Sequence, residues 1–493
     1  MSQRITIDPM TRLEGHGKIE IFLNDAGEVE HAYLQIPELR GFERFCVGRP
    51  AEEMPQITAH ICGVCPAAHH LASARALDDL WKVDPPPAAH KLRELYYNLF
   101  ILEDHALHFY YLGGPDLLLG ADTPPAQRNV LGVIAKLGAD VGARVVSTRK
   151  AVRAIMGEMS GRTAHPVFAL PGGLSRPMPP PTLEKLRALA PSLVDFAAFS
   201  LDTFYKLVVA GDAWNRAMEA EPFNLRTHSM GLVDDQGRVT FYRGRVRVVD
   251  TAGAELLTFA ARDYAQHIDE HAESWTYVKF PFLRARGWKG FEEGPDSSLY
   301  RVGPLGRLNA ATGMATPRAE EHRQKMFTAL GGRPVHRTLA FHWARLVEVM
   351  QAAEAVAALA EDEELRSPDV RRIPEATPAE GIGIVEAPRG TLIHHYQTDA
   401  QGILTHVNLI VASQHNAAPV QISVRKAARG FIHGGKVDDA ILNQLEMAYR
   451  AYDPCNACAS HSLPGEMPLD VQVRARDGTL VRRLSRGVVA GDA

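Results

Sequence analysis

The sequence predicts an α+β fold, a large central bundle of long helices with small antiparallel sheets at its margins. Three observations carry that prediction: apolar residues recur at helical spacing over several long stretches, short alternating runs flank and interrupt them, and Pro/Gly clusters separate the two textures. No repeat at a solenoid period and no low-complexity tract competes with this reading.

From Arg4 to Ile36 the pattern alternates, with Ile5 and Ile7, then Ile19, Ile21 and Leu23, then Val29 to Ile36. The turn residues Asn24-Asp25-Ala26-Gly27 lie between the last two runs, so the segment reads as a strand followed by a hairpin. Helical periods then cover Ala67 to Trp81, Ala88 to Leu112, Ala126 to Met159, Thr182 to Met218 and His322 to Glu361. They are parted by Pro85-Pro86-Pro87, by Gly113-Gly114-Pro115 and by the stretch from Pro171 to Pro181. Alternation returns at Arg238 to Val249, Gly383 to Tyr396 and Leu404 to Val411. Near the end, Asp470 to Arg476 and Thr479 to Leu484 alternate around Asp477-Gly478, a hairpin pattern.

The chain has 493 residues, 46% hydrophobic and 23% charged, with 54 basic against 58 acidic side chains. That is an ordinary globular balance. It supplies no basic face for a phosphate backbone, so nucleic acid is not an expected partner. No apolar run approaches the roughly 18 residues of a membrane span, and even Leu193 to Leu201 is broken by Asp195. Met1 to Pro9 lacks the apolar core of a secretory signal, so a cytoplasmic location is expected.

Five cysteines are too few for a disulfide scaffold, and their placement is informative. Four form two CxxC pairs, Cys62/Cys65 and Cys455/Cys458. Two such pairs offer four soft ligands that suit zinc, an iron-sulfur cluster or nickel, and ligand number alone does not choose among them. In zinc ribbons the second pair follows the first by roughly 15 to 20 residues. Here nearly the whole chain intervenes, which points to a buried site at the centre of a large scaffold.

The first pair stands in His60-Ile61-Cys62-Gly63-Val64-Cys65-Pro66-Ala67-Ala68-His69 and the second in Asp453-Pro454-Cys455-Asn456-Ala457-Cys458-Ala459-Ser460-His461. At these residues the sequence resembles the large, catalytic subunit of nickel-iron hydrogenases, whose signatures are RxCGxC followed by a His, and DPCxxCxxH. The likeness continues in Thr11-Arg12-Leu13-Glu14-Gly15-His16, Arg40-Gly41-Phe42-Glu43 with Gly48-Arg49-Pro50, Asp104-His105-Ala106-Leu107-His108-Phe109-Tyr110, His165-Pro166 with Pro171-Gly172-Gly173, and Ala387-Pro388-Arg389-Gly390. One departure is visible: His60 stands where most members have Arg.

The resemblance implies the hydrogenase large-subunit fold, shared with the 49 kDa-type subunit of respiratory complex I, and a nickel-iron centre. By similarity Cys62 and Cys455 are terminal nickel ligands, and Cys65 and Cys458 bridge nickel to iron. The iron carries cyanide and carbon monoxide; Arg389 and Ser413 match hydrogen-bond donors to cyanide, and Pro388 shapes the carbonyl side. Glu14 matches the proton gate, Asp116 and Asp453 match carboxylates that orient Arg389, and His69 matches a histidine bonded to a bridging sulfur. Glu43, His461 and the carbonyl of Leu409 match ligands of a magnesium ion. Taken singly, Glu14 reads as a solvated charge, Arg389 as a surface residue and Cys46 as a packing residue; their joint occurrence with the cysteine pairs changes the first two readings.

Hydrogen oxidation releases two electrons, and once four cysteines hold the metals, Cys46 alone cannot hold an iron-sulfur cluster. The clusters are therefore expected on a small iron-sulfur subunit. The stretches HALHFYYLGGPD and GEMPLDV look most like the cytoplasmic, multi-subunit class, including the F420-non-reducing members, with further diaphorase or heterodisulfide-reductase type subunits. No GxGxxG after a strand and no Walker loop places a nucleotide site on this chain. The rival functions are a non-catalytic hydrogen sensor and a complex I-like electron-transfer subunit; the complex I relative lacks the four cysteines. The family's mature chain ends at the His of DPCxxCxxH. This divides the sequence into 1–461, the large-subunit domain, and 462–493, an extension expected to be removed by a maturation endopeptidase after nickel-insertion factors have acted. An attached tail is expected to hold Cys455 and Cys458 off the metal.

Overall fold

The structure, a computed structural model, describes residues 4–461, 469–474 and 479–486. Its centre is the helix Ala340–Ala360, apolar on nearly every face and buried along most of its length. A helix apolar all round belongs inside a bundle, and this one packs against Pro87–Leu107 and Pro180–Phe204, which Ala139–Ser160 also contacts. Pro66, Pro87 and Pro180 each open a helix, where a missing backbone N–H costs nothing.

The long periods exist, but glycines divide three of them. Ala126 to Met159 becomes Val130–Leu137 and Ala139–Ser160, broken at Gly138 with φ 102°. Thr182 to Met218 passes from Pro180–Phe204 through a π turn and breaks at Gly211 before Asp212–Glu219. His322 to Glu361 becomes Pro317–Ala329 and Ala340–Ala360, parted by Gly331 and Gly332, both at positive φ. Conversely, Gly113-Gly114-Pro115 does not end its helix: a π turn over His108–Gly113 leads into Gly114–Leu119. Among the described residues no helix is long and apolar enough to cross a membrane.

The first sheet is antiparallel, Arg4–Ile7 with Lys18–Leu23 with Val29–Gln35, and its inward residues Ile19, Ile21 and Leu23 are buried. A second antiparallel sheet joins Glu380–Ala387, Gly390–Thr398 and Leu404–Ile410. This one lies in the core, its first strand packed on the helix Pro66–Leu80. A Cβ at Gly381 would sit 2.1 Å from Ala76 O and one at Gly383 2.2 Å from Ala72 O, so only glycine permits the approach. A four-stranded sheet sets Tyr300–Arg301 parallel to His228–Val233, followed by Arg245–Val249 and Glu255–Phe259. The predicted run Arg238 to Val249 is a strand only over its last five residues. Leu469–Arg474 and Leu480–Arg486 pair antiparallel as the tail pattern predicts; the turn between them lies outside the described residues.

Candidate metal centre

The first cysteine loop is built locally. Val64 N and Cys65 N donate to Cys62 Sγ at 3.2 and 3.0 Å, and Cys65 caps the helix that Pro66 opens. The second loop is held from a distance. Asp453 turns the chain at φ 54°, Cys455 N donates to Ser413 Oγ at 2.8 Å, and Asn456–Cys458 form one 3-10 turn. The N-terminal arm runs alongside, with Asn456 N on Glu14 O at 3.0 Å and Ala457 N on Glu14 Oε2 at 3.2 Å. Gly15, at φ 76°, permits that contact, because a Cβ there would lie 2.5 Å from Ala457 N. Arg40 ties the loops together, its Nη1 donating to Ile61 O at 3.1 Å and Ala457 O at 3.2 Å.

These supports bring four buried sulfurs within 4.8 Å of one another. Cys62 and Cys455 are 3.3 Å apart, Cys65 and Cys458 3.6 Å, and all are free thiols. Burial opposes ionisation of Cys62, yet donation from the other three cysteines and the nearby charge of Arg389 hold its thiol well below the ordinary value. Cys455 and Cys458 are pushed well above theirs, chiefly by burial. Such a cage is a donor set for a soft metal, and its geometry alone leaves zinc, nickel and iron open.

Beside the cage, Glu14 Oε2 accepts from Cys455 Sγ at 2.9 Å, and burial raises the pKa of this carboxyl. Arg389 occupies the two-residue turn between the paired Ala387 and Gly390, 2% exposed. Its Nη2 meets Asp453 Oδ1 at 3.1 Å, as expected, but its Nη1 meets Asp104 Oδ2 at 3.2 Å. Asp104, not Asp116, thus stands with Asp453 against Arg389. Asp116 accepts instead from Arg12 at 2.5 Å and from Arg450, which are nearer and satisfy both its oxygens. Burial pushes Asp104 up to about 7, against the opposing charge of Arg389.

His69 Nδ1 contacts His394 Nε2 at 3.1 Å, and its buried Nε2 has no partner. Glu43 Oε1 accepts from Leu409 N at 2.8 Å, so these two magnesium candidates are in contact. His461 Nε2 meets Cys458 O at 2.6 Å, its buried Nδ1 is unpartnered, and burial pulls its pKa down to about 3. Orphaned ring nitrogens in a buried polar site fit groups waiting for a ligand. Lys279 pairs with Glu270 at 2.9 Å, Gln414 also binds Glu270, and the charge of Glu43 acts on both members of the pair. Cys46 is buried outside the cage, its thiol pushed up to about 12 by burial.

Residues 40–121 and 233–461 match the family described as nickel-dependent hydrogenase, and residues 4–39 match a HoxL-like family. The chain belongs to the nickel-dependent hydrogenase family. It is 46% identical over 483 residues to an F420-non-reducing hydrogenase iron-sulfur subunit of Archaeoglobus profundus, covering 98% of this chain and 99% of that one. It is 37% identical over 503 residues to the NAD-reducing hydrogenase HoxS subunit beta of Cupriavidus necator, covering 99% and 100%. Among solved structures, an NAD+-reducing NiFe-hydrogenase in the H2-reduced state superimposes with TM-score 0.87 at 38% identity, over 93% of this chain and 99% of the other. The chain is thus a hydrogenase large subunit, and its four-cysteine cage is consistent with a nickel-iron centre.

In this hydrogenase His60 is exposed and stacks on His165, ring centroids 4.4 Å apart and planes within 10°. Their Nδ1 atoms donate to Gln56 O at 2.7 Å and Ala59 O at 2.9 Å. The pair lies beside the first cysteine loop.

Proposed function

We infer that this chain is the catalytic subunit of a nickel-iron hydrogenase that cleaves H2 reversibly and heterolytically to protons and electrons. The single observation that carries the reading is the Glu14 carboxylate, 2.9 Å from Cys455 Sγ in a cage of four converging thiols. When bound, the nickel-iron group supplies a soft Lewis-acidic centre at which dihydrogen is split. In this reading Cys62, Cys455, Cys65 and Cys458 would hold the nickel-iron group, the first two as nickel ligands and the second two shared with iron. Arg389, ionised despite burial because Asp104 and Asp453 face it, would donate with Ser413 to cyanide on iron, while Pro388 would bound the carbon monoxide side. Glu43, His461 and Leu409 O would hold Mg2+.

The chain's own work is proton handling and positioning. Glu14 Oε2 takes a proton from the Cys455 sulfur, and its raised pKa brings the acid closer to neutrality, where a relay works best. Glu14→Gln keeps the size and removes the carrier. The variant is expected to retain nickel and iron while hydrogen turnover and hydrogen-deuterium exchange fall about 10²- to 10⁴-fold. Unchanged exchange would show that protons leave by another route. Metal analysis finding zinc alone, without infrared bands of cyanide and carbon monoxide, would sink the whole reading.

With Cys46 buried alone, electrons leave to clusters on a small iron-sulfur subunit, and beyond it to diaphorase or heterodisulfide-reductase type subunits. The named relatives, one of them part of an NAD-reducing hydrogenase, support a multi-subunit assembly. A cytoplasmic complex fits these partners. Residues 462–493 are read as an extension cut between His461 and Ser462 by an endopeptidase after nickel-insertion factors have acted. Cys455 and Cys458 stand against Cys62 and Cys65, at 3.3 and 3.6 Å. Intact-mass analysis decides the point: active enzyme still carrying Ala493 at full specific activity refutes removal.

A further inference from the structure

Arg307, in the helix Gly303–Ala310, is wholly buried and commits every donor it has to the neighbourhood of one turn. Nε and Nη2 grip the two oxygens of Glu348 at 2.6 and 2.7 Å. Nη1 meets Glu386 Oε2 at 2.6 Å, and the remaining two N–H groups reach Ala387 O at 2.9 Å and Pro388 O at 3.1 Å. Five bonds exhaust a guanidinium, whose planar fork fixes all of them together.

The carboxylates are themselves held. His105 Nε2 contacts Glu348 Oε2 at 2.8 Å, while Leu232 N and Thr391 Oγ1 donate to Glu386 Oε1 at 2.9 and 2.8 Å. Helix, strand and hairpin thus converge on the two carbonyls that precede Arg389. The carbonyl of Arg389 itself accepts from Asn416 Nδ2 at 3.3 Å. Stability alone is a poor account of this cluster, since apolar residues of equal volume commonly serve as well as a buried ion triad. What it supplies is a backbone that cannot rotate under a catalytic side chain.

We propose that Arg307 is a positioning residue which, by clamping the carbonyls of Ala387 and Pro388, fixes where the Arg389 guanidinium stands beside the cysteine cage. The proposal rests on the reading of Arg389 as a donor toward the metal centre. Arg307 makes no contact with the cage in this arrangement and acts through Arg389.

The test uses the assembled enzyme carrying Arg307→Lys, Arg389→Lys or both. Arg307→Lys keeps a charge but cannot span both carbonyls. It is expected to lower kcat roughly 10- to 100-fold, the scale of a displacement of about 1 Å at a reacting site, with KM for hydrogen changed less than about twofold. The double variant is expected to be no slower than Arg389→Lys, because the two residues act in series. Full kcat in Arg307→Lys, or a double variant as slow as the product of the single losses, overturns the proposal.

The metal-free chain gives a second readout. Amide hydrogen exchange at Gly390 and Thr391 should rise in Arg307→Lys, with the rest of the hairpin unchanged. No rise, or a rise spread evenly over the hairpin, overturns the clamp. Should Arg307→Lys fail to fold, Glu348→Gln weakens the same grip and should raise exchange at the same two amides; protection equal to the unmodified chain overturns it. Unmodified enzyme without hydrogen turnover would sink the proposed function instead, and would leave the exchange result standing.

Discussion

The two cysteine loops bring the same ligands to the same cage and are held in opposite ways. Around Cys62 and Cys65 the support is close in sequence: two backbone N–H groups on one sulfur and a 15-residue buried helix directly behind. Around Cys455 and Cys458 the support comes from far along the chain, through Glu14, Arg40 and Ser413, with His108 Nε2 on Arg450 O at 3.0 Å and Arg345 Nη2 on Ala451 O at 3.1 Å. The first loop is formed mainly by its own segment, with Arg40 and His165 adding ties from outside it. The second is formed only when the rest of the molecule is in place, so damage to distant residues should appear there first.

Removal of a ligand should erase the contrast. Cys65→Ser and Cys458→Ser are each expected to abolish nickel retention and turnover, measured by metal analysis and hydrogen uptake, because a hydroxyl does not replace a soft thiolate. Nickel kept at full occupancy in either variant would break the four-ligand cage.

A pair of glycine substitutions should sharpen the contrast. Gly15→Ala drives a Cβ into Ala457 N at a left-handed position, and is expected to cost about 1–3 kcal/mol and loosen the second loop. Gly63→Ala, with nothing within 4 Å and no positive φ, is expected to change stability of the metal-free chain by no more than about 1 kcal/mol. Equal shifts in denaturant midpoint for the two would contradict the comparison.

Arg40→Met tests the tie between the loops. It removes both carbonyl contacts, for about 1–3 kcal/mol, and nickel should leave faster in the presence of a chelator. An unchanged rate of loss would make Arg40 incidental. Among the variants that loosen the second loop the smallest effect is expected from Ser413→Ala, which leaves Cys455 N–H without its acceptor at about 1 kcal/mol, read in the same unfolding experiment.

Much of this was legible in the sequence because it is local. The CxxC pairs, the Pro-opened helices and the N-terminal hairpin are written in consecutive residues, and they stand where the pattern puts them. Asp116 shows the limit. Asp104 and Asp116 lie in one helical stretch, and either could face Arg389, which is 285 positions beyond Asp104; only the packing of Pro87–Leu107 decides that Asp104 does. The roles of Arg40, Arg307 and the Glu270–Lys279 pair were invisible for a related reason, since nothing in the residues around each one names its partner. The helix divisions at Gly138, Gly211 and Gly331 had a readable signal in the glycines themselves, which the long apolar period outweighed.

The span between Cys62 and Cys455, 393 positions, also sets a timetable. A ribosome adding about 5–20 residues per second needs roughly 20–80 s to travel from one to the other. For almost all of that interval the nascent chain owns two of its four sulfurs. A chain truncated between Cys65 and Cys455 carries only half of the ligand set. Four-sulfur binding therefore requires that the segments carrying the two pairs have already met.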